Sequence, residues 1–377
     1  MNARERMLAT INFEETDRPF RWETPGIWGQ TVTRWANEGL PSETVMSGIK
    51  LQEFFGFDKQ EWAPPTVWAQ EPFYPLFEHL IINDDGEHLT VREKDGITKR
   101  ILKVNPELSM PQFLKFPVET AEDYINEIAW RLNPDEDGRF PECWESRKNE
   151  LAQRDYPLGM FIVGPFGHAR NLMGEENLMY AFYDDPELIR LMMNNWSNFY
   201  IRLLDKVSRT AVPDMIMVWE DMCYKNGPLI SPELFREFML PGMKEIFDHA
   251  RSLGIPGLWV DNDGDCLSML PVYLDAGANG FYPFECNAGM DIAKIRAEHG
   301  KRFVIIGGIE KYTLSDDMTE EDMIAEINRK MIPMLESGGY IPMLDHSAPP
   351  NISYGRFMRF LEYVRELPEK HKQTEVK

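Results

Sequence analysis

The sequence predicts an α/β protein, a (β/α)8 TIM barrel, on two observations. Between residues 157 and 366, short apolar segments alternate with longer amphipathic segments, and this strand–helix cadence is typical of a parallel sheet. Several of the apolar segments end in acidic residues or a histidine, and the carboxyl ends of barrel strands are where barrel enzymes keep their chemistry. No G-x-G-x-x-G motif follows a predicted strand, so a doubly wound, dinucleotide-binding sheet is the weaker alternative.

Six strand–helix units are predicted in this part of the chain. Their strands cover residues 158–163, 215–219, 257–260, 280–284, 303–306 and 340–344. A long helix should begin at Pro186 with Asp184 or Asp185 as its cap, and Pro241 should kink the helix that begins at Ser231. The later helices are expected over residues 267–276 and from Asp291, Thr319 and Ser353.

The first 156 residues form a less regular N-terminal elaboration of the same single domain, which we take as residues 1–377. Residues 3–12 are predicted to be helical, and the segment Phe20–Trp22 is predicted as a seventh strand. An eighth strand is expected within residues 55–155, at a position that the pattern does not define. Residues 79–104 predict a β-hairpin, because alternating segments are separated by turn-forming Asp-Gly sequences.

Composition excludes several classes of function. The chain has 377 residues, 43% of them apolar, and a formal net charge of -22. An acidic surface repels phosphate backbones, so no nucleic-acid partner is expected. No run of 18 apolar residues and no apolar leader occurs, and the four cysteines lack C-x-x-C spacing. These features predict a cytoplasmic protein with reduced thiols and no membrane segment.

Several motifs are spread along most of the chain: Arg4-Glu5-Arg6-Met7-Leu8-Ala9 with Asp17-Arg18-Pro19, Gly164-Pro165-Phe166 with Leu172-Met173-Gly174, Gly227-Pro228-Leu229-Ile230-Ser231-Pro232-Glu233-Leu234-Phe235, Leu240-Pro241, Gly307-Gly308-Ile309-Glu310-Lys311 and residues 338–350. Together they resemble the uroporphyrinogen decarboxylase superfamily. The resemblance implies a (β/α)8 barrel, in agreement with the strand count. The superfamily also contains zinc-dependent methyltransferases that serve corrinoid proteins.

Two departures from the family pattern separate its branches. The decarboxylases carry an arginine-rich R-Q-A-G-R-Y signature for substrate carboxylates, whereas this chain keeps Arg18 and Arg21 but lacks the Q-A-G-R-Y core. The methyltransferases carry H-x-C and a late cysteine as zinc ligands, and the corresponding positions here read Asp261-Asn262-Asp263 and Asp345-His346. The resemblance therefore implies a corrinoid-dependent methyltransferase without the thiolate ligands.

The predicted barrel mouth is crowded with acids. Repulsion among them requires either carboxyl groups with raised pKa values or a bound cation. Zinc accepts histidine nitrogen and carboxylate oxygen, and it can polarise the oxygen of a methyl ether or alcohol. We therefore predict a zinc site of Asp263, Glu285 and His346, with Glu220, Asp221, Asp261 and His346 as catalytic residues. Asp345 either orients His346 or caps the turn.

Residues of three kinds are assigned to substrate binding: aromatic side chains, polar side chains beside the strand ends, and one arginine. They are Trp22, His168, Arg170, Trp219, Asn262 and Tyr282. Trp22 belongs to a tryptophan-rich N-terminal third that also contains Trp28, Trp35, Trp62 and Trp68, which either pack as a core or form a wall over a flat ligand. For Arg170, a structural ion pair is the alternative to binding a substrate carboxylate.

The leading functional hypothesis is an enzyme that takes a methyl group from a small-molecule donor, such as an aryl methyl ether, and passes it to a corrinoid protein. A decarboxylase acting on a porphyrinogen or a smaller acid is the second hypothesis. A non-catalytic barrel that binds a corrinoid or tetrapyrrole is the third. Whether the chain forms a homodimer is left open.

Overall fold

The computed structural model describes residues 1–23, 27–41, 48–64, 72–104 and 110–375. Within these ranges the helices are α1 Ala3–Ile11, α2 Gly29–Asn37, α3 Gly48–Phe54, α4 Ala121–Asp123, α5 Lys148–Ala152, α6 Pro165–Met173, α7 Glu175–Asp184, α8 Pro186–Thr210, α9 Pro232–Phe238, α10 Leu240–Ser252, α11 Leu270–Ala276, α12 Ile292–His299, α13 Glu320–Ser337 and α14 Tyr354–Glu375. The strands are β1 Glu61–Trp62, β2 Leu80–Asp84, β3 His88–Arg92, β4 Thr98–Leu102, β5 Gln112–Lys115, β6 Leu158–Val163, β7 Met215–Trp219, β8 Cys223–Tyr224, β9 Gly227–Pro228, β10 Gly257–Asp261, β11 Gly280–Tyr282, β12 Val304–Ile306 and β13 Tyr340–Ile341.

Seven parallel strands form the central sheet in the order β1, β6, β7, β10, β11, β12, β13. The register aligns β6, β7 and β10 along five residues each, so Val163 pairs with Trp219 and Trp219 with Asp261. The six strands predicted from the strand–helix pattern are all present, and α/β barrel architecture is confirmed. The last of them is shorter than predicted, because β13 ends at Ile341.

The prediction of a strand at Phe20–Trp22 is wrong, although this segment does occupy the open side of the sheet. Arg21 exchanges hydrogen bonds with Asp58, just before β1, at 2.8 and 2.9 Å. Glu23 accepts a hydrogen bond from the Leu344 backbone N–H at 3.0 Å, just beyond β13. Hydrogen bonds to side chains thus replace part of the backbone pairing that a strand would make here. The strand that was expected within residues 55–155 corresponds to β1, which pairs with β6.

The outer helices follow the predicted caps. Asp185 caps α8 by accepting a hydrogen bond from the Leu188 backbone N–H, with Pro186 in the first turn. The helix that begins after Ser231 does not only bend: it divides at Met239 into α9 and α10, with Pro241 in the first turn of α10. Proline lacks the backbone N–H that a continuous helix needs, which explains the break.

The predicted hairpin is part of a larger antiparallel sheet in the order β2, β3, β4, β5. This sheet stands apart from the main core: β2 and β5 are exposed along their whole length, and Val91 is buried in β3. No helix in the described ranges is both long enough and apolar enough to cross a bilayer.

Two apolar cores hold the barrel together. The larger lies between the strands and the outer helices. The smaller fills the barrel and includes Phe20, Trp22, Trp259 and Tyr282, together with Met7 of α1. Of the N-terminal tryptophans, Trp22 and Trp35 are buried, Trp62 packs against the barrel core and Trp28 is exposed, whereas Trp68 lies outside the described residues.

Candidate active site

The loops that leave the carboxyl ends of the barrel strands meet at one opening. Because the strands are parallel, residues that follow different strands come together at this end. Asp221 follows β7, Asp263 follows β10, Glu285 follows β11, Lys311 follows β12 and His346 follows β13. These five side chains and their neighbours form the candidate site, which we call the mouth.

An imidazole and a carboxylate face each other across the mouth. The Nε2 atom of His346 lies 3.5 Å from Oδ2 of Asp263, and both side chains are partly exposed. Burial lowers the pKa of His346, but the hydrogen bond and negative charge of Asp263 outweigh it, so the pKa is raised above that of free histidine. The pair therefore favours a positively charged imidazole at the opening.

Asp221 and Arg170 form a second ionic pair beside the first. The Nη1 atom of Arg170 lies 3.2 Å from Oδ2 of Asp221 and donates a 2.8 Å hydrogen bond to its backbone oxygen. Asp221 has a φ of +32°, which is uncommon for a residue other than glycine. Burial raises the pKa of Asp221, while the charge of Arg170 opposes that rise. The guanidinium group of Arg170 also lies 5.6 Å from the centroid of the Trp219 ring.

Lys311 is a buried cation in the mouth that the sequence analysis missed. Its Nζ atom lies 3.4 Å from Oε1 of Glu285 and 3.9 Å from Oδ1 of Asp345. Glu285 also accepts a hydrogen bond from the backbone N–H of Gly264 at 3.0 Å. Asp345 accepts backbone N–H bonds from Cys286 and Lys311, so it fixes these loops and does not orient His346.

Aromatic rings and a buried carboxyl group form the floor of the mouth. The hydroxyl of Tyr282 donates a 2.6 Å hydrogen bond to Oδ2 of Asp261. Burial and the nearby charge of Asp263 raise the pKa of Asp261 well above its ordinary value. The Trp22 ring lies 6.4 Å from Tyr282 and 6.3 Å from Trp259 between centroids. A neutral carboxyl group thus sits in an aromatic, water-poor setting.

Three predicted site residues are buried. Glu220 is fully buried and accepts the Phe166 backbone N–H at 2.9 Å, where it caps α6. His168 is also fully buried, and burial lowers its pKa to about 3. Asn262 accepts the Cys223 backbone N–H and donates to the Tyr273 hydroxyl at 2.7 Å. All three side chains are buried, and their roles in catalysis and substrate binding stay predictions.

The predicted zinc ligands fit a metal ion only in part. The 3.5 Å between His346 and Asp263 is close to the roughly 3.4 Å that separates two ligand atoms on one tetrahedral zinc with bonds of about 2.0–2.1 Å. Glu285 does not complete the set as predicted, because Lys311 and the Gly264 backbone already bind its oxygens. A zinc ion held by all three residues would require Glu285 to release the lysine.

A different trio has ligand atoms within 4.8 Å of one another: Cys286, Glu310 and Asp345. It fits zinc poorly. The Nζ atom of Lys330 lies 3.3 Å from the Cys286 sulfur, and burial raises the pKa of that thiol, which favours the neutral form. Lys311 and Lys330 are cations already present beside these acidic groups.

A second buried residue near the mouth that the sequence analysis did not identify is Glu23. Its side chain is 7% exposed, and burial raises its pKa well above the ordinary value. It joins the N-terminal segment to Leu344, two residues before His346. Only the closure of the barrel brings it there, so no local pattern could identify it. Lys311 could have been found, since it lies within the Gly307–Lys311 motif already recognised.

A family model and a solved structure with a TM-score above 0.5 agree with this architecture. A family model described as uroporphyrinogen decarboxylase (URO-D) matches residues 105–367. Among solved structures, a methyltransferase from Methanosarcina mazei is 16% identical, with a TM-score of 0.62 over 97% of this chain and 99% of that one. A B12-independent methionine synthase from Shewanella sp. W3-18-1 is 10% identical, with a TM-score of 0.46 over 95% of this chain and 99% of that one. A comparison with curated proteins finds no match.

Proposed function

The chain belongs to the uroporphyrinogen decarboxylase family, and from that premise we propose that it is a methyltransferase. In this proposal the substrate is a small oxygenated compound, such as an aryl methyl ether. The methyl group passes to a corrinoid carried by a partner protein, and the demethylated oxygen stays on the product. The observation that carries the proposal is the His346–Asp263 pair, which lies beside an aromatic floor.

In methyl transfer from an ether, the ether oxygen gains negative charge as its methyl group leaves, and the enzyme must stabilise that charge. A reduced corrinoid on the partner supplies the nucleophile that accepts the methyl group. His346 and Asp263 are the residues that would hold a zinc ion, which would supply a Lewis acid for the leaving oxygen. Both residues are partly exposed at the opening, where a substrate oxygen can reach them.

The chain's own groups position the substrate and hold protons. The aromatic floor around Trp22 and Tyr282 excludes water from one side of a flat ligand. Arg170 orients the Asp221 carboxylate beside the His346–Asp263 pair. Without metal, the imidazolium of His346 donates a proton to the leaving oxygen. The proposal therefore has two versions: His346 is a zinc ligand in the metal version and a proton donor in the imidazolium version.

The second hypothesis, a decarboxylase for a porphyrinogen, finds less support. A substrate with eight carboxylates needs several free cations in its cleft. Among the described residues of the mouth, Arg170 and Lys311 are each already paired with carboxylates of the chain. The mouth is otherwise acidic, so it favours a substrate with little negative charge.

The test combines metal analysis with a methyl-transfer assay. Purified protein from zinc-supplemented growth is analysed for metal, then incubated with reduced free cobalamin and a panel of aryl methyl ethers, while the cobalamin spectrum is recorded. We expect methylation of the cobalamin by at least one ether. Replacing His346 with alanine should lower the rate at least 100-fold, in line with the usual effect of a lost acid or metal ligand.

Exposed His79 supplies the control, since its replacement by alanine should leave the rate unchanged. If zinc and activity fall together in the His346→Ala variant, the metal version holds. Active wild-type protein without metal would support the imidazolium version. Full activity in the His346→Ala variant would overturn the assignment of this residue, and inactivity of the wild type with every ether would favour the non-catalytic, corrinoid-binding barrel.

A further inference from the structure

A second concave site lies outside the barrel, between the N-terminal segment and α14. One wall is formed by residues 18–23 with Pro342, and the other by Phe360, Val364 and Arg365 of α14. Phe57 closes one side. The space holds about 30 Å³ and is open at its edge, which is enough for roughly two water-sized positions. We call this space the α14 groove.

The guanidinium groups of Arg18, Arg21 and Arg365 line the α14 groove, and the nearby carboxylate of Asp58 binds that of Arg18. Arg18 donates two hydrogen bonds to Asp58, at 2.7 and 2.8 Å. Arg6, behind the groove, donates to the same carboxylate at 3.1 Å. With two arginines and the Arg21 backbone N–H already bound, Asp58 has little capacity left for further cations.

Arg21 and Arg365 keep unsatisfied donors. The guanidinium of Arg21 forms no hydrogen bond or ion pair with any residue in the ranges that the structure describes. Arg365 donates to the backbone oxygen of Phe55, which carries no formal charge. Both side chains are partly buried, and burial together with the charge of Arg18 lowers their pKa values. Two cations are thus held close together, and the nearby carboxylate of Asp58 is already bound by Arg18 and Arg6.

The rest of the lining is apolar. The rings of Phe57 and Phe360 and the side chain of Val364 face the same space as the guanidinium groups. Glu23 is the acid on the wall, and its raised pKa keeps it neutral. The combination differs from the mouth, where each described arginine or lysine already has a carboxylate partner.

We propose that the α14 groove binds a small organic carboxylate, with the charged head between Arg21 and Arg365 and the apolar part against Phe360. A planar guanidinium binds a carboxylate through two parallel hydrogen bonds, and the apolar wall favours an organic acid over an inorganic anion. The enclosed volume admits the head group, while the open edge leaves room for the apolar part. This proposal is independent of the methyl-transfer chemistry.

Binding can be measured directly with 4-fluorobenzoate, followed by ¹⁹F NMR and by the shift in melting temperature of the full chain. We expect saturable binding that stabilises the protein. The Arg21→Gln variant should bind at least tenfold more weakly. Arg21→Lys keeps the charge but loses the planar fork, so it should show an intermediate affinity and guard against a variant that fails to fold.

Arg359→Gln is the matched control, because Arg359 lies on α14 but pairs with Glu320 away from the groove. It should bind as the wild type does, as should His346→Ala, which separates this site from the mouth. Neutral 4-fluorobenzamide, phosphate and chloride should bind at least tenfold more weakly than 4-fluorobenzoate. Unchanged affinity in Arg21→Gln, equal binding of phosphate, or loss of binding in His346→Ala would each overturn the proposal.

Discussion

His168 shows how one buried side chain can govern the response of the protein to acid. Neither ring nitrogen has a hydrogen-bond partner among the described residues, and burial lowers the pKa to about 3. In the unfolded chain a histidine titrates near pH 6.5. Between these two values the unfolded chain binds one more proton than the folded chain, so this residue makes stability fall as the pH falls.

Replacing His168 with leucine should remove that sensitivity. From pH 7.5 to pH 5, the wild type should lose about 2 kcal/mol more free energy of unfolding than the variant, at up to about 1.4 kcal/mol per pH unit below pH 6.5. Urea unfolding of both proteins at pH 7.5 and pH 5 measures the difference. Parallel curves for the two proteins across this range would contradict the prediction and indicate that the buried imidazole takes up a proton in the folded state.

Single residues also mark how far the sequence could predict the site. The acids after β7, β10 and β11 and the histidine after β13 were found because a strand end is a local pattern. Which of their side chains face the opening is set by neighbours far along the chain. Glu220 turns to cap α6, and Asn262 turns to Tyr273. Both side-chain orientations depend on packing between elements, which the spacing of residues in the sequence does not reveal.

At the scale of elements, the loop after β10 is held in one conformation by Gly264. Its φ is +70°, and a Cβ atom there would lie 2.6 Å from the backbone oxygen of Tyr224 in β8 and 2.7 Å from that of Cys223. Backbone atoms cannot move aside as the end of a side chain can. The same glycine donates its N–H to Glu285, so the turn also connects β10 to the loop after β11.

Replacing Gly264 with alanine should therefore cost about 3 kcal/mol, from backbone strain and the close contact together. Gly289 offers a matched comparison, since its φ is +90° and no atom lies within 4 Å of an added Cβ. Alanine there should cost about 1 kcal/mol, from the left-handed backbone alone. Chemical denaturation of both variants measures these values, and equal losses would argue against the close contact with β8.

The elements themselves were largely predictable. Strong periodicity and caps identified the strands from Leu158 onward and the start of α8, because these signals are local. The segment Phe20–Trp22 was mistaken for a strand because its alternation is that of a strand, with Phe20 and Trp22 inward. Side chains replace part of the backbone pairing: the Asp58 carboxylate accepts the Arg21 backbone N–H, and the Glu23 carboxyl group accepts the Leu344 backbone N–H. A sequence pattern records which face is buried, not which groups accept the hydrogen bonds.

At the scale of the whole molecule, α1 closes the end of the barrel opposite the mouth. Arg4 binds Asp214, just before β7, at 2.9 Å, and Arg6 binds both Asp17 and Asp58. Met7 of this helix is fully buried among the inward side chains of the strands. The helix thus joins the amino ends of several strands, and its packing contributes to the stability of the barrel as one unit.

Replacing Met7 with alanine should lower the free energy of unfolding by about 3 kcal/mol, because it leaves a cavity where the strands converge. Met110 is 88% exposed and serves as the control, with an expected change within about 0.5 kcal/mol for the same replacement. Urea unfolding followed by tryptophan fluorescence measures both. A loss below 1 kcal/mol at Met7 would show that α1 is dispensable to the barrel.

The two ends of the chain meet where the barrel closes, and this has a consequence for the order of folding. Thr31 and Trp35 donate side-chain hydrogen bonds to the backbone oxygens of Ala348 and Ile352, each across 317 residues of sequence. During synthesis the first residues leave the ribosome long before these partners exist. Contacts so distant in sequence form late and slow the search for the native state. The apolar side chains of Phe20 and Trp22 therefore stay exposed to solvent in the nascent chain. We expect this chain to depend on chaperones until β13 has been synthesised.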